Sequence, residues 1–90
     1  MPSSQNQSLM QAFASEVRSR RAALKISQDE LAFRSGLSRT FIGKMETARN
    51  QPSLTAFCKI ADGLETSASD LMKAVQNRYS REQKRIASDA

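Results

Sequence analysis

The stretch from Ser27 to Ala48, SQDELAFRSGLSRTFIGKMETA, constrains the fold of this chain more than any other segment. Ser27 followed three residues later by Glu30 is a capping-box pattern, because the hydroxyl and the carboxylate can satisfy free backbone N–H groups at a helix start. This pattern predicts a helix that begins near Gln28. Gly36 readily adopts the left-handed conformation that closes many helices, so we expect the helix to stop there.

A second short helix is predicted after only a few residues. Ser38 is a second candidate N-cap, and Phe41, Ile42 and Met45 recur at the spacing of one apolar helix face. Two helices joined by a turn of about three or four residues must cross steeply, which is the geometry of a helix-turn-helix unit. The sequence therefore predicts such a unit over residues 27–48.

Three further segments have apolar residues at helical spacing, and the chain contains no strand-length alternation. A first helix of about 16 residues is predicted to start at a capping box formed by Ser8 and Gln11. A fourth helix should begin at Ser53 and end near Gly63, and a fifth should begin at Ser67. The fold class predicted from these segments is all-α with five helices. The residues that recur at helical spacing are Met10, Phe13, Ala14, Val17, Arg21 and Leu24 in the first helix, Leu54, Phe57, Ile60, Ala61 and Leu64 on the predicted inward face of the fourth, and Leu71, Met72, Val75 and Tyr79 on the apolar face of the fifth.

We expect one domain with a short segment at each end. Residues 1–7 are predicted to form a flexible N-terminal arm, and residues 8–78 the helix-turn-helix domain. Residues 79–90 are predicted to form a basic C-terminal tail or an extension of the fifth helix. Three interpretations of the basic residues in this region stay open: a solvated, fraying helix end, a phosphate contact, or a partner-binding extension.

The balance of charge favours a polyanionic partner. The 90 residues hold 14 Lys and Arg against 9 Asp and Glu, which gives a net charge of +5. Such an excess attracts nucleic acid, and double-stranded DNA is the expected partner. A solubilising surface charge without any partner is the alternative.

The same composition disfavours an enzyme. The chain has no histidine, no phosphate-binding glycine loop and no sequence cluster of metal ligands or paired carboxylates, so we expect no catalytic site, no metal and no cofactor. No small-molecule ligand is evident. The single cysteine, Cys58, is predicted to be a partly buried packing residue. Without a membrane-spanning segment or a recognisable signal peptide, a cytoplasmic protein with no membrane contact is expected.

Several short motifs occur in a fixed order across residues 13–71. They are SQDELA at 27–32, SGLS at 35–38, the IxxME pattern of Ile42, Met45 and Glu46, PSL at 52–54, and, outside these, Val17, Arg18, Arg21, Ile60, Ala61 and Leu64. In this order and spacing, the chain closely resembles the Xre/Cro/CI family of bacterial and phage transcriptional regulators. The resemblance implies a five-helix, lambda-repressor-like DNA-binding domain that is usually a homodimer.

The resemblance also implies roles for individual residues. Arg39, Thr40 and Lys44 match the positions that face base edges, and guanine is the expected partner of Arg39 because arginine can bridge its O6 and N7 atoms. Gln28 matches a glutamine that hydrogen-bonds a DNA phosphate and buttresses the base-reading helix. It stands at a helix N-terminus, where anions are favoured. The other expected phosphate contacts are Ser38, Arg49 and Asn50.

Two pairs of positions bear on stability. Arg21 and Glu46 match positions that form a largely buried ion pair in relatives, so removing one partner should be strongly destabilising. Lys25 and Ala48 stand where the family commonly has glycine. Either these turns are strained by a positive φ, or they take another shape.

Two residues of the second short helix each allow two interpretations. Gly43 either lets the backbone approach the groove floor or is neutral variation at an exposed site. Phe41 either packs on Leu31 and Leu37 or contacts a thymine methyl group, and packing is the favoured interpretation.

The function that these features favour is sequence-specific DNA binding by a transcriptional regulator. We expect a homodimer on a palindromic or near-palindromic operator, with half-sites about one helical turn apart. Met72, Val75 and Tyr79 exceed what the core obviously needs and are the predicted dimer interface. The alternative is an antitoxin- or adaptor-like protein-interaction module in which DNA binding is secondary.

Overall fold

The computed structural model describes residues 6–89, and this part of the chain forms five α-helices and no strand. The helices are α1 (Gln7–Leu24), α2 (Gln28–Ser35), α3 (Arg39–Glu46), α4 (Leu54–Gly63) and α5 (Ala68–Asp89). The predicted all-α, five-helix fold with a helix-turn-helix unit at α2 and α3 is confirmed. Residues 1–5 of the predicted N-terminal arm lie outside the described residues, whereas Asn6 and Gln7 belong to the start of α1.

A polar side chain caps the start of every helix. Ser27, Ser38, Ser53 and Ser67 each accept a hydrogen bond of 3.0 Å from the backbone N–H three residues later. In α1 the cap is Asn6, whose Oδ1 accepts from the backbone N–H of Leu9 at 3.0 Å, so the helix starts earlier than the predicted Ser8 capping box. Asparagine and serine are comparable N-caps, and the earlier cap adds length to the helix.

Four residues with a left-handed backbone conformation close the turns. Gly36 has φ 68°, and three non-glycine residues, Lys25, Ala48 and Glu65, have φ values of 58°, 59° and 59°. The turns at Lys25 and Ala48 therefore keep the positive φ, at a cost of about 1–2 kcal/mol per residue. Each is held by a hydrogen bond from its own N–H to a carbonyl of the preceding helix, which offsets part of this strain.

The core draws side chains from all five helices. Its largest fully buried members are Val17, Leu31, Ile42, Met45, Ile60, Leu71 and Val75. The rings of Phe13 and Phe57 lie 5.4 Å apart and join α1 to α4. Each fully buried side chain of this size contributes about 1.5–3 kcal/mol, so this cluster fixes the angle at which α2 and α3 are presented.

Three side chains differ from the predicted arrangement. Val75 is only 1% exposed, so its prediction as a dimer-interface residue is wrong: it belongs to the core with Leu71, one turn earlier on α5. Leu54, predicted to face inward, is 83% exposed because it begins α4 beyond the edge of the core. Cys58 is exposed rather than partly buried, and it lies one turn after Leu54 on the same outer face.

The C-terminal region continues α5 as a single helix through Asp89. Tyr79 packs against the core, and its hydroxyl accepts a hydrogen bond from Asn6 Nδ2 at 2.8 Å. Farther along the helix, Ile86 is 47% exposed. None of the helices within residues 6–89 has the length and apolar character needed to cross a membrane.

Candidate nucleic-acid interface

The turn between α2 and α3 is built from a left-handed glycine and a serine cap. Gly36 closes α2 through its backbone N–H, which donates to Phe33 O at 3.3 Å. Leu37 then packs against the core, and Ser38 Oγ accepts from the N–H of Phe41. Leu37 lies between the two caps, and its contact with the core fixes the direction in which α3 leaves the turn.

Glu46, at the end of α3, is the centre of a buried polar network. Arg21 of α1 binds it with two parallel hydrogen bonds, Nε to Oε2 at 2.9 Å and Nη2 to Oε1 at 3.0 Å, and Gln28 Nε2 donates to Oε1 at 2.9 Å. The Glu46 side chain is 2% exposed and that of Arg21 is 23% exposed. The hydrogen bonds from Arg21 to Glu46 raise the pKa of Arg21, so the guanidinium stays charged. The network joins α1, α2 and α3 at one point.

Gln28 thus supports the end of α3, as the resemblance implied, and its phosphate contact stays a prediction. Its amide group is turned towards Glu46, and it keeps a second N–H and a carbonyl oxygen for other partners. Gln28 is the first residue of α2, where the backbone N–H groups and the helix dipole favour an anion.

One side of α3 faces solvent and the other is fixed in the core. Arg39, Thr40 and Lys44, the predicted base-reading residues, are all exposed. Ile42 and Met45, on the opposite side, are 0% exposed. The helix thus presents three hydrogen-bonding side chains, two of them cationic, on an outer face backed by a rigid apolar face.

Phe41 lies between these two faces. It is half-buried and packs against the core cluster. This position agrees with the favoured interpretation, in which Phe41 has mainly a packing role.

Arg39 is paired with Asp29, a partner that the sequence pattern did not indicate. Arg39 Nε lies 3.2 Å from Asp29 Oδ1, and the two side chains are 54% and 80% exposed. The guanidinium also lies over Gly43, because a Cβ atom added to Gly43 would lie 2.9 Å from Arg39 Nη1. Gly43 therefore leaves room for this placement of Arg39. The sequence does not indicate the Arg39–Asp29 pair, because Asp29 has the features of an ordinary acidic residue in the first turn of a helix.

The loop after α3 carries two of the predicted phosphate contacts. Arg49 is exposed and Asn50 is half-buried. The path of the loop is set by Ala48, which is buried against Met10 and Ala14 of α1. The backbone N–H of Arg49 donates to Lys44 O at 2.8 Å, so the loop starts tightly against the end of α3 although glycine is absent at position 48.

Ser38, the last predicted phosphate contact, is exposed at the start of α3. Its hydroxyl oxygen is engaged as the N-cap. The hydroxyl hydrogen is free to rotate towards a phosphate, and the first turn of α3 adds backbone donors.

Two of the three predicted dimer residues reach the surface. Met72 is 44% exposed, and Tyr79 is half-buried under its hydrogen bond with Asn6. Met72 borders an apolar groove of about 480 Å³ between the starts of α1, α4 and α5. Exposed Leu54 and Cys58 line the same groove, together with the loop residues Gln51, Pro52 and Ser53.

A second cluster of charges joins α1 to α5. Glu16 Oε1 lies 2.6 Å from Arg78 Nε, and its Oε2 lies 2.7 Å from Arg20 Nε. Burial alone would raise the pKa of Glu16, but the hydrogen bonds and charges of Arg78 and Arg20 outweigh it and lower the pKa.

Within residues 6–89, no group of three or more His, Cys, Asp and Glu side chains is arranged to hold a metal ion.

A protein-family model described as helix-turn-helix matches residues 17–71 of this chain. The chain belongs to the helix-turn-helix family. The matched segment runs from the middle of α1 to the start of α5, so it includes the Glu46 network and the whole outer face of α3. The family indicated by the sequence motifs is confirmed.

Relatives in this family are controller proteins. The control protein C.SmaI of Serratia marcescens is 36% identical over 64 residues, which cover 71% of this chain and 76% of that protein. The crystal structure of the restriction-modification controller protein C.AhdI from Aeromonas hydrophila is 34% identical, with a TM-score of 0.66, over 69% of this chain and 94% of that one. The controller protein C.Esp1396I, solved as a tetramer with its natural 35 base-pair operator, shares the fold at 22% identity and a TM-score of 0.74, over 79% of this chain and 93% of that one.

Proposed function

We propose that this protein is a sequence-specific DNA-binding transcriptional regulator that acts as a homodimer and reads the major groove with α3. The observation that carries the proposal is the outer face of α3, where Arg39, Thr40 and Lys44 are exposed together while the opposite face is buried. A rigid helix with donors on one face is what base recognition needs, because each base pair presents a distinct set of polar groups in the major groove. The controller-protein relatives support a regulatory rather than an enzymatic role, and a regulator that binds chromosomal or other intracellular DNA would act in the cytoplasm.

Each of the three reading residues has a chemistry that suits it. Arg39 would bridge O6 and N7 of a guanine, a contact that discriminates by about 1–3 kcal/mol. Thr40 would donate or accept one hydrogen bond or place its methyl group on a thymine, and Lys44 would donate to guanine or to a phosphate. To reach a base, Arg39 has to leave Asp29, and because both side chains are largely exposed this step costs little.

The DNA backbone would be held at both ends of the unit. Gln28 and Ser38 stand at the first turns of α2 and α3, and Arg49 and Asn50 follow the end of α3. Contacts of this kind set the register of the helix on the duplex without reading sequence.

A homodimer would form through the apolar groove beside Leu54 and Met72. These two side chains are exposed and apolar, and the groove between them is lined mainly by apolar residues. Loop residues 51–53, which follow α3 closely in the chain, form part of its wall. Two copies that meet there would bring their two α3 helices near each other, as two successive half-sites about 34–36 Å apart require.

Selection of bound duplexes from a random DNA library tests the proposal. The expected result is a palindromic or near-palindromic consensus with half-sites about 10 base pairs apart, and a complex with the mass of two chains per duplex. Recovery of no consensus would contradict sequence-specific binding.

Analytical ultracentrifugation tests the dimer surface. Met72→Glu should give a monomer, while the exposed-site control Lys73→Glu stays dimeric. A dimeric Met72→Glu would contradict this surface.

The alternative, an antitoxin- or adaptor-like interaction module, has one observation in its favour. Phe33, on the outer side of α2, is 84% exposed, and a large exposed aromatic side chain is common at protein interfaces. Under this alternative, Phe33→Ser would abolish binding of a protein partner, and Arg39→Ala would leave that binding unchanged. Under the proposed function, Arg39→Ala would strongly weaken binding of the selected DNA duplex, and Phe33→Ser would leave DNA binding nearly unchanged.

A further inference from the structure

The net positive charge of this protein does not lie on its helix-turn-helix unit. Residues 28–77 hold six basic and six acidic residues, whereas residues 1–27 hold four basic residues and one acidic, and residues 78–90 hold four basic and two acidic. The whole excess of +5 therefore comes from α1 and the last part of α5. The fold packs these two segments against each other through Glu16 and Arg78.

A cleft of about 360 Å³ runs between these two helices. Its α5 side carries Arg78, Arg81 and Arg85, which recur at the spacing of one helix face. Its α1 side carries the polar side chains of Ser8, Gln11 and Ser15. Lys84 is outside the lining, but it is exposed and stands between Arg81 and Arg85 in the sequence of the same helix, so it adds a positive charge to this end of α5.

The acidic residues near the cleft leave part of this charge uncompensated. Glu16 is shared by Arg20 and Arg78, and Glu82 pairs with Arg85 at 2.6 Å. Arg81 and Lys84 are exposed, and neither forms an ion pair with any carboxylate of residues 6–88. This end of α5 thus carries two exposed cations that no carboxylate of residues 6–88 pairs with, near the polar side chains of α1 that line the cleft.

This lining suits a phosphate group better than an acidic protein segment. Protein interfaces depend on buried aromatic or large aliphatic anchors, and among the described residues Ala12 is the only apolar one that lines the cleft. Arginine, lysine, serine and glutamine side chains are the usual donors to DNA phosphate and sugar groups. The chemistry therefore favours a nucleic-acid backbone.

The cleft is linked to the end of α3 through Arg18. Arg18 Nη2 lies 3.2 Å from Ser15 Oγ, and Nη1 donates to the backbone oxygen of Glu46, the last residue of α3. Ser15 and Arg18 are one helical turn apart on α1. The row of polar side chains on α1, Ser15, Gln11 and Ser8, thus begins close to the end of α3 and leads away from it.

We propose that the cleft between α1 and the end of α5 is a second DNA-backbone contact, which binds phosphates beyond those reached by the helix-turn-helix unit. The proposal rests on the proposed function, because the helix-turn-helix unit must hold a duplex, through base or backbone contacts, for the cleft to lie against it. Arg81 and Lys84 are the residues that approach the backbone. Their contribution is independent of sequence and adds to affinity rather than to base selection.

The test compares Arg81→Gln/Lys84→Gln with wild type, using the duplex selected by the wild-type protein and a scrambled duplex of equal length. Lys59→Gln/Lys73→Gln is the matched control, because it removes two exposed positive charges from α4 and the first part of α5, outside the segment 78–85 that carries the basic residues of the cleft, and neither side chain lines the apolar groove. Affinity is measured from 50 to 200 mM salt. Thermal melting and sedimentation of each variant verify that fold and oligomeric state are unchanged.

The expected result is a slope of log affinity against log salt that is smaller by roughly 2–4 in the Arg81/Lys84 variant, at about 0.9 per lost contact in a dimer. Both duplexes should lose affinity equally, and the control should keep a slope near that of wild type. An unchanged slope, or an equal change in the control, would overturn the proposal. If instead wild type shows no preference for the selected duplex, the proposed function has failed, and the slope comparison on the scrambled duplex still decides whether the cleft binds DNA.

Discussion

Two arginine–carboxylate pairs involve the first and last residues of α3, and they have opposite consequences. Arg21 and Glu46 meet in a bidentate pair whose carboxylate is 2% exposed, and Gln28 adds a third hydrogen bond. Arg39 and Asp29 meet through one contact of 3.2 Å and are both more than half exposed. The same chemistry therefore fixes the scaffold in one place and leaves a movable side chain in the other, and burial decides which.

The largest effect is expected from breaking the buried pair. Glu46→Ala leaves Arg21 and Gln28 without their partner in a largely dry site, so it should lower the free energy of unfolding by about 3–5 kcal/mol. Because Arg21 keeps some contact with water, we expect a value near the lower limit. Chemical denaturation measures it, with Lys44→Ala as the exposed control on the same helix. Equal stabilities of the two variants would show that the network is not what holds α3.

The Glu16 pair is intermediate between these two extremes. Glu16→Gln weakens the contacts with Arg20 and Arg78 and should cost about 1 kcal/mol, because each partly exposed pair is worth roughly 0.2–1 kcal/mol. The pKa of Glu16 is lowered by folding, so its contribution is present above the pKa of the unfolded chain and is lost as the pH falls through the folded pKa. Melting temperatures from pH 7 down to pH 3 should therefore fall more for wild type than for Glu16→Gln. Parallel curves would contradict the assignment, and Glu30→Gln serves as the exposed control.

Two turns with the same backbone conformation extend the comparison of buried and exposed positions. Lys25→Gly relieves a positive φ at an exposed site and should stabilise the fold by about 0.5–1 kcal/mol. Ala48→Gly relieves the same strain but removes a methyl group buried against α1, which costs about 0.8 kcal/mol, so it should be close to neutral. Denaturation midpoints measure both changes. A larger gain at position 48 than at position 25 would contradict the role assigned to the Ala48 contact.

The smallest effect on stability is expected at the exposed pair. Asp29→Asn should change the free energy of unfolding by less than about 0.5 kcal/mol, because a largely exposed ion pair contributes little. It should raise affinity for the selected duplex by up to about fivefold, since Arg39 no longer has to leave a carboxylate and one negative charge is removed near the DNA. Fluorescence anisotropy with labelled duplex measures this change. If Asp29→Asn lowers the free energy of unfolding by more than about 1 kcal/mol, the Arg39–Asp29 pair stabilises the fold as the buried pair does, which would contradict its role as a movable contact.

The sequence was informative where the physics is local. Serine caps such as Ser27 and Ser53, the closing Gly36 and the apolar stripe of α3 depend on residues a few positions apart, so short patterns predicted them. The burial of Val75 and the exposure of Leu54 depend on which helices pack around them, and their own spacing does not carry that information. The Arg78–Glu16 contact joins residues 62 positions apart, and no local pattern marks it.

The family resemblance supplied what spacing could not. It indicated the Arg21–Glu46 pairing and the turns at Lys25 and Ala48, all of which involve geometry that only the folded chain defines. It did not indicate Asp29 as the partner of Arg39, a contact that joins the first turns of α2 and α3.

The central claim, that the movable Arg39 reads a base while the buried network only holds α3 in place, is tested most directly by a double-mutant cycle. Affinity is measured for wild type and Arg39→Ala, each with the selected duplex and with the same duplex in which one half-site guanine–cytosine pair is replaced by adenine–thymine. At the guanine that Arg39 contacts, wild type should lose about 1–3 kcal/mol on replacement and Arg39→Ala should lose almost nothing. An equal loss for both proteins at every guanine of the half-site would contradict the claim.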